Sequence, residues 1–580
     1  MQATQRALRR EPSLPSLLRT EFRGYSVETA QRDLIAGLTV AAVALPLALA
    51  FGVAGGSTAA AGLVTAIISG LVIGLLSGAP FQVSGPTGAM SAVLIVIAHD
   101  YGPHGLWIAG LMAGIMILAT GIFRLGRIVN FIPAPVITGF TSGIALVIAI
   151  GQIDNFFGIK TEAHDSSARK LAGYFIDPVP SINWTAVLCA VIVMATMIAL
   201  PRLWNAPKLP TALLGVVIVT ALSWSLGWDV QTIGTIPHSI VLDERLTPSR
   251  DDLKLIDDLL APAFAIALLG AIESLLCGVV AGRMTGKKLA TNQELVAQGI
   301  GNIILPFFGG VPATAAIART SVGVKAGGET RLVSIIHAVA LLIGMLFFAG
   351  AIAHVPMPAL AGVLMVTAWR MNEWHTIRFY WRHRLKSALV SVAITMVATT
   401  ALDLTEAIII GLIVSVIVFF WQVSQLTITV TPVDWDHIAA TGEPIPESRP
   451  DAQIVAVTGS LFFGSVNQFA ETLEHLPFRH ALIISLRGVP MVDVSTIQVV
   501  EHAWHAQRDR GGVLHLTGLQ PRVLRMFERA GMSELIDNQH PFEHIDQALA
   551  KAQRDLAANR EADATADEGL NEIPLGVVTG

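Results

Sequence analysis

Two stretches decide the fold: Ser84-Gly-Pro-Thr-Gly-Ala-Met-Ser91 and Gly309-Gly-Val-Pro-Ala-Thr-Ala315. Each interrupts apolar sequence with Gly and Pro, which break a regular helix. In lipid, irregular backbone is tolerated only where it lines a protein cavity. The two stretches also sit at matching places. Pro46 precedes Pro86 by 40 positions, and Glu273 precedes Pro312 by 39. Broken segments at corresponding positions of two halves point to a transport site built from inverted repeats.

The bulk numbers agree. The chain has 580 residues, 53% hydrophobic and 14% charged, with a mean hydropathy of +0.61. Soluble chains carry about 25% charged residues. A chain this apolar cannot cover its own surface in water, so it is expected to be a polytopic α-helical membrane protein. Net charge is −5 and the pI about 6.3, which supplies no field for nucleic acid. Cys189 and Cys277 lie in apolar runs and read as small core residues. No Cys/His spacing suggests a metal. The segment Gly282 to Lys287 lacks the spacing of a phosphate-binding loop, so neither a cofactor nor an enzyme is expected. Arg6, Arg9, Arg10, Arg19 and Arg23 precede the first apolar run, and residues 1–30 read as a cytosolic arm.

A span needs about 20 apolar residues. Candidates begin near Leu34, Ala59, Leu106, Ile132, Trp184, Thr211, Leu259, Leu332, Ser387 and Thr405. Shorter or broken candidates lie near 86–98, 292–308, 314–322 and 356–368, which makes about fourteen. Basic residues fall on alternate connections: Arg124 and Arg127, Arg202 and Lys208, Arg283 with Lys287 and Lys288, then Arg370, Arg378, Arg382, Arg384 and Lys386. That asymmetry puts both termini in the cytosol, in a cytoplasmic (inner) membrane. Seven spans per half is an odd number, so the halves are inverted. They cover 31–228 and 259–426, with an extracytoplasmic loop at 229–258.

Composition changes after about Gln425. Residues 427–450 read as a polar, Pro-rich linker. From 451 to 556, strand-like runs (454–463, 482–486, 513–516) alternate with helical ones, predicting a small α/β domain. The segment 557–580 is acidic and apolar-poor, and is expected to be disordered.

The third-span helix is expected to start near Pro86 and run outward. The tenth is expected to start near Ala313 and run inward. Their N-termini would then face each other near the midplane, each with unpaired N–H groups and about half a positive charge. That makes an anion site without any cation side chain. Arg319 would lie about six residues into its helix, roughly 9 Å from the midplane. It either lines the anion path or snorkels to the cytosolic interface. Glu273 would lie roughly 21 Å deep. A carboxylate there is costly unless neutralised or paired. It can carry a proton, bind sodium or pair with Arg319. Phe51, just over a turn beyond Pro46, either lines the cavity or packs as an ordinary apolar residue.

At these residues the chain resembles the sulfate permease (SulP) family of anion transporters, over about residues 30–555. The resemblance rests on Ser84-Gly-Pro-Thr-Gly88, Asn292-Gln-Glu-Leu295, Pro312 to Thr320 and Gly327-Gly-Glu-Thr330. The terminal domain resembles a STAS domain. Nucleobase transporters look similar in their 7+7 plan, but their usual tenth-span acid is absent here. The resemblance implies a core of spans 1–4 and 8–11 moving against a gate of spans 5–7 and 12–14. It also implies an elevator-like mechanism and a homodimer. It carries a substrate site onto Phe51, Thr87, Gly88, Glu273, Ala315 and Ala316, with Arg319 at the place of a basic residue near the anion. Leu47 stands where many animal members have Gln, so their halide-type site is not expected. Glu273 points to proton-coupled uptake, and the small residues Gly88, Ala315 and Ala316 leave room for a sulfate- or dicarboxylate-type anion, with sodium-coupled or bicarbonate transport, exchange and channel conduction as alternatives. In the STAS domain, Ser495 matches the serine that antagonist proteins phosphorylate, although Thr496 replaces the usual Gly. A helix N-cap role for this Asp-Val-Ser turn is the plainer expectation. The domain also offers a surface for a protein partner.

Overall fold

The computed structural model describes residues 11–126, 133–161, 167–176, 181–203, 210–402, 404–433, 451–536 and 544–571. The chain divides into two compact units, Met1–Ser415 and Val416–Gly580.

In the first unit, a short helix α1 (Leu14–Glu21) precedes α2 (Val27–Ala54) and α3 (Ala59–Leu76). A two-residue strand β1 (Ser84–Gly85) leads into α4 (Gly88–Ile122). Gly102, with φ 67° and followed by Pro103, breaks α4 into two helices, which are the third and fourth spans. Then come α5 (Ala134–Gly151), α6 (Ile153–Phe157), α7 (Ser167–Ile176), α8 (Trp184–Leu203) and α9 (Thr211–Leu226). The second half holds α10 (Ile256–Thr285), α11 (Thr291–Ile304), strand β2 (Thr314–Ala315) and α12 (Ile317–Lys325). It continues with α13 (Leu332–Ala353), α14 (Met357–Met371), α15 (Trp374–Arg382), α16 (Lys386–Ala401) and α17 (Leu404–Ser424). Among the described residues, seven helices are long and apolar enough to cross a bilayer, and Thr211–Leu226 and Lys386–Ala401 are shorter apolar helices. Every candidate span lies on one of these helices, or within a few residues of it.

Polar clamps tie the segments before α2, α11 and α13 to one another. Asp33, fully buried, accepts from the backbone N–H of Glu329 (2.8 Å) and the hydroxyl of Thr330 (2.5 Å). The Glu21 carboxylate accepts from Arg331 at both its backbone N–H (2.6 Å) and its Nε (2.9 Å). The Glu11 carboxylate accepts from Asn292 N–H (2.9 Å), which supplies α11 with a cap that no residue of its own provides. The described part of the segment before the first span is thus bonded to the second repeat.

The second unit is a four-stranded sheet in the order β3-β4-β5-β6: β3 (Thr427–Pro432), β4 (Ala452–Thr458), β5 (Ala481–Gly488) and β6 (Val513–Thr517). β3 pairs antiparallel with β4, and the other pairs are parallel. β5 is buried along its first six residues, as a central parallel strand covered on both faces should be. α18 (Val466–Glu474), α19 (Val494–Asp509) and α20 (Pro521–Arg529) bring Phe469, Val500 and Phe527 onto one cluster with Val455, Ile484 and Leu516. α21 (Ser533–Ile536) follows, and α22 (Ile545–Asn571) packs Ala548, Leu549, Ala552 and Leu556 with Ala481 and Ile483.

Two boundaries are corrected. The expected linker begins with strand β3, because Thr427–Pro432 finds a pairing partner in β4. The segment 557–571, expected to be disordered, continues α22 as helix. Residues 434–450 and 572–580 lie outside the described residues.

Candidate functional site

The site is organised by the pairing of β1 with β2. The two strands run antiparallel, Ser84 opposite Ala315 and Gly85 opposite Thr314. Antiparallel strands that each lead into a helix send those helices in opposite directions. The N-termini of the third-span helix (the first part of α4) and of α12 are therefore brought side by side, deep in the unit.

The helices start later than expected. The third-span helix begins at Gly88, with Thr87 as N-cap, and α12 begins at Ile317, with Ala316 as N-cap. The stretch 313–316 is extended instead, because its backbone groups find partners elsewhere. Ala313 N–H donates to Asn302 Oδ1 (2.7 Å), Ala315 N–H to Ser274 Oγ (3.2 Å) and Ala316 N–H to Val83 O (2.9 Å). Ala315 and Ala316 thus offer no free N–H groups. The free donors of α12 belong by position to its first turn, Ile317 and Ala318, and those of the third-span helix to Gly88 and Ala89.

A polar stripe on α11 holds both strands. Glu294, Gln298 and Asn302 recur at every fourth position, all buried. Gln298 Nε2 donates to Ser84 Oγ and to Glu294 Oε1, both at 2.9 Å. Glu294 Oε2 accepts from Ser77 Oγ (2.6 Å) and Gly78 N–H (2.9 Å). Asn302 Nδ2 donates to Ala313 O (2.9 Å). This is the structural work of the Asn292-Gln-Glu-Leu295 run and its continuation.

Glu273 and Thr87 come together: Thr87 Oγ1 donates to Glu273 Oε2 at 2.9 Å. The same hydroxyl accepts from Met90 N–H (3.4 Å), completing the cap. Glu273 is half-buried, with its carboxylate held beside the start of the third-span helix. Its bonded partner is Thr87 rather than Arg319.

Arg319 lies in the first turn of α12, not six residues along it. It is 1% exposed, which removes the snorkelling alternative. Its Nη2 donates to Pro86 O, across the strand pair. Its Nη1 has no hydrogen-bond partner among the described residues. The guanidinium lies where Gly85 would carry a side chain: a Cβ there would sit 2.0 Å from Nη1. A buried cation with an unpartnered Nη1 beside two positive helix ends is a strong anion attractor.

Phe51 is buried, and its carbonyl accepts from Ser91 Oγ (2.8 Å), which fixes the first span to the third-span helix. Its ring edge lies 3.0 Å from where a Cβ on Gly88 would stand. The same point meets Ile148 Cδ1 at 2.5 Å and Met371 Sδ at 3.2 Å. A side chain at Gly88 would have to push these side chains aside, and α5 and α14 thereby contribute the facing wall. Neither Ile148 nor Met371 carries a sequence signal, being ordinary apolar residues in apolar helices. Ser274 and Gln298 carry one: a polar residue inside an apolar span.

Ser495 belongs to the second unit, in the first turn of α19. Asp493 is that helix's cap, accepting from Thr496 N–H (3.0 Å), and Ser495 borders a cavity of about 650 Å³ beside α18. Both cysteines are buried and unpaired with each other. Among the described residues, no group of His, Cys, Asp and Glu is placed to hold a metal ion.

Comparison with known proteins follows this geometry. Residues 31–394 match the sulfate permease family, and residues 443–548 match the STAS domain. YvdB of Bacillus subtilis is 35% identical over 536 residues, covering 91% of this chain and 98% of its own. The bicarbonate transporter BicA of Synechocystis sp. is 28% identical over 556 residues, covering 93% and 97%. Among solved structures, the murine anion transporter Slc26a9 superposes with a TM-score of 0.79 at 18% identity, covering 94% of this chain and 99% of its own, a likeness of fold. With broken helices paired through two strands, a STAS domain at its C-terminal end and a family match over most of its length, the chain belongs to the sulfate permease family.

Proposed function

We propose that this chain is a secondary active anion transporter that carries a small oxyanion or dicarboxylate together with a proton. The observation that carries the proposal is the meeting of the two helix N-termini at β1–β2, with Arg319 behind them and Glu273 beside them. An anion between Gly88–Ala89 and Ile317–Ala318 would take up the free N–H groups of both helices. Glu273 would add a second negative charge a few ångströms away, which repels the anion unless the carboxyl is protonated. Anion and proton then enter together, and neither is held well alone. That linkage is what symport requires.

The packing supports an elevator-like movement. Polar bonds tie the core elements to one another, as described for Asp33, Glu21 and α11. Others tie the facing helices together: Ser142 Oγ donates to Asn372 Oδ1 (2.6 Å) and Thr138 Oγ1 to Glu373 Oε2 (2.7 Å). At the site itself the two sets meet through Gly88, Ile148 and Met371, by van der Waals contact alone. Such a surface has no directional bonds to break when one set slides past the other. Action as a homodimer in the cytoplasmic membrane, with both termini cytosolic, belongs to the same proposal.

YvdB carries the name of a candidate sulfate transporter and BicA that of a bicarbonate transporter, which keeps both oxyanions in view. The decisive experiment is uptake of labelled sulfate, bicarbonate and fumarate into proteoliposomes, with and without an inward proton gradient. Accumulation of one anion driven by the gradient is the expected result. Uptake indifferent to protons but driven by a sodium gradient would reassign Glu273 to a cation site.

A further inference from the structure

We propose that α15 and the turn after it form a docking site for anionic phospholipid headgroups, and that this site anchors the wall opposite the substrate. The segment Trp374-His-Thr-Ile-Arg-Phe-Tyr-Trp-Arg382 joins two apolar helices, α14 and α16, so it is tethered to the bilayer surface at both ends. It is amphipathic. Tyr380 is buried, while Trp374, Arg378, Trp381 and Arg382 are exposed along one side at helical spacing. Trp369 stacks on Trp374 with ring centroids 4.7 Å apart, and Trp369 and Trp381 are 66% and 75% exposed. Large aromatic rings left uncovered in this way suit the boundary between headgroups and acyl chains. Arg378, Arg382 and Arg384 are exposed on the same segment, and none has a carboxylate partner among the described residues. Arg384 is held in a left-handed conformation (φ 53°) at the turn into α16.

Unpaired arginines between exposed tryptophans, on a helix fixed at the membrane surface, match the chemistry of a lipid phosphodiester. The rings enter the interface and the guanidinium groups take the charge. The partner is therefore a lipid with net negative charge, such as phosphatidylglycerol, rather than a zwitterionic one. The link to the site is short. Met371, which faces Gly88, ends α14 two residues before Glu373, and Asn372 and Glu373 are the residues bonded to α5. A lipid holding α15 thus holds Met371 and, through α5, Ile148. This second clause rests on the transport proposal above; the lipid site itself does not.

The test uses the full-length protein in phosphatidylcholine liposomes in which a fixed fraction of either phosphatidylglycerol or phosphatidylcholine is brominated. The expected result is stronger quenching of tryptophan fluorescence by the brominated anionic lipid. The chain has 11 tryptophans, so replacing Trp369, Trp374 and Trp381 together with Phe should remove the excess and identify its source. Replacing Arg378, Arg382 and Arg384 with Gln should abolish the preference, at roughly fivefold in lipid affinity per charge. Should that variant fail to insert, about 0.5 M salt applied to the unaltered protein should collapse the excess instead. Equal quenching by both lipids, or a preference that survives loss of the arginines, overturns the site. Loss of the preference on adding inorganic phosphate would also overturn it, by assigning the arginines to a soluble anion. Uptake that falls in purely zwitterionic liposomes is expected from the anchoring role. Absence of uptake in every lipid would count against the transport proposal, while the quenching result stands on its own.

Discussion

Thr87 stands at the N-cap of the third-span helix, its hydroxyl shared between Met90 N–H and Glu273. At the matching place on α12 stands Ala316, which has no hydroxyl to offer. One helix end is thus capped and joined to an acid. The other is bare, with Arg319 folded beneath it. The inverted repeat supplies two similar backbones, and the side chains make them unlike. The difference divides the labour: the capped end carries the titratable partner, and the bare end carries the fixed positive charge.

Four substitutions test this division, from the largest expected effect to the smallest. Arg319→Leu removes the buried cation and strands Pro86 O without its donor, a loss of about 2–3 kcal/mol. Uptake in proteoliposomes should fall about 100-fold. Near-normal uptake would mean that the bare end needs no cation. Glu273→Gln keeps the shape and removes the charge. Uptake should drop about tenfold, and its dependence on pH should vanish. A pH profile like that of the unaltered protein would detach the capped end from coupling. Thr87→Ala removes both the cap and the donor to Glu273. Thermal stability should fall by about 1 kcal/mol, with uptake reduced roughly fivefold, as expected for a bond to a charged group. Ala316→Thr sharpens the comparison by making the bare end resemble the capped one. A cap gained there should stabilise the fold by about 1 kcal/mol. Because the new hydroxyl occupies an N–H that the anion would otherwise use, the half-saturating anion concentration should rise a few-fold. A variant that gains stability and keeps its affinity would place the anion elsewhere.

How much of this was legible follows from what each residue needs. Apolar runs of span length declare themselves, so the helices were found with their approximate limits. Gly and Pro at 85–88 and 309–312 marked the broken segments, because few other roles suit them inside a span. The start of α12 was misplaced because Pro312-Ala-Thr-Ala-Ala316 suits a helix locally. Its extended form depends on Val83, Asn302 and Ser274, and on pairing with Ser84–Gly85 more than 200 positions earlier. The stripe Glu294, Gln298 and Asn302 was visible as a pattern, but its meaning lay in what faces it. Ile148 and Met371 were invisible, because an apolar residue on an apolar helix says nothing about which neighbour it touches. β3 was missed because it is an edge strand with little burial, and its short alternating run sits at the start of a Pro-rich stretch. The helical stretch 557–571 was taken for disorder on its acidity, although its alanines are good helix formers.

The clamp between Glu21 and Arg331 joins residues 310 positions apart. During synthesis at about 5–20 residues per second, Glu21 leaves the ribosome some 15–60 seconds before Arg331 exists. Throughout that interval the arm, the first span and β1 are in the membrane or at its surface without the partners that define them. The first repeat therefore waits, and the β1–β2 pair forms only when the second repeat arrives. A chain cut short between the two repeats would hold half of the expected spans, with Phe51, Thr87 and Gly88 in place but without Glu273, Arg319 and β2, the residues that complete the site.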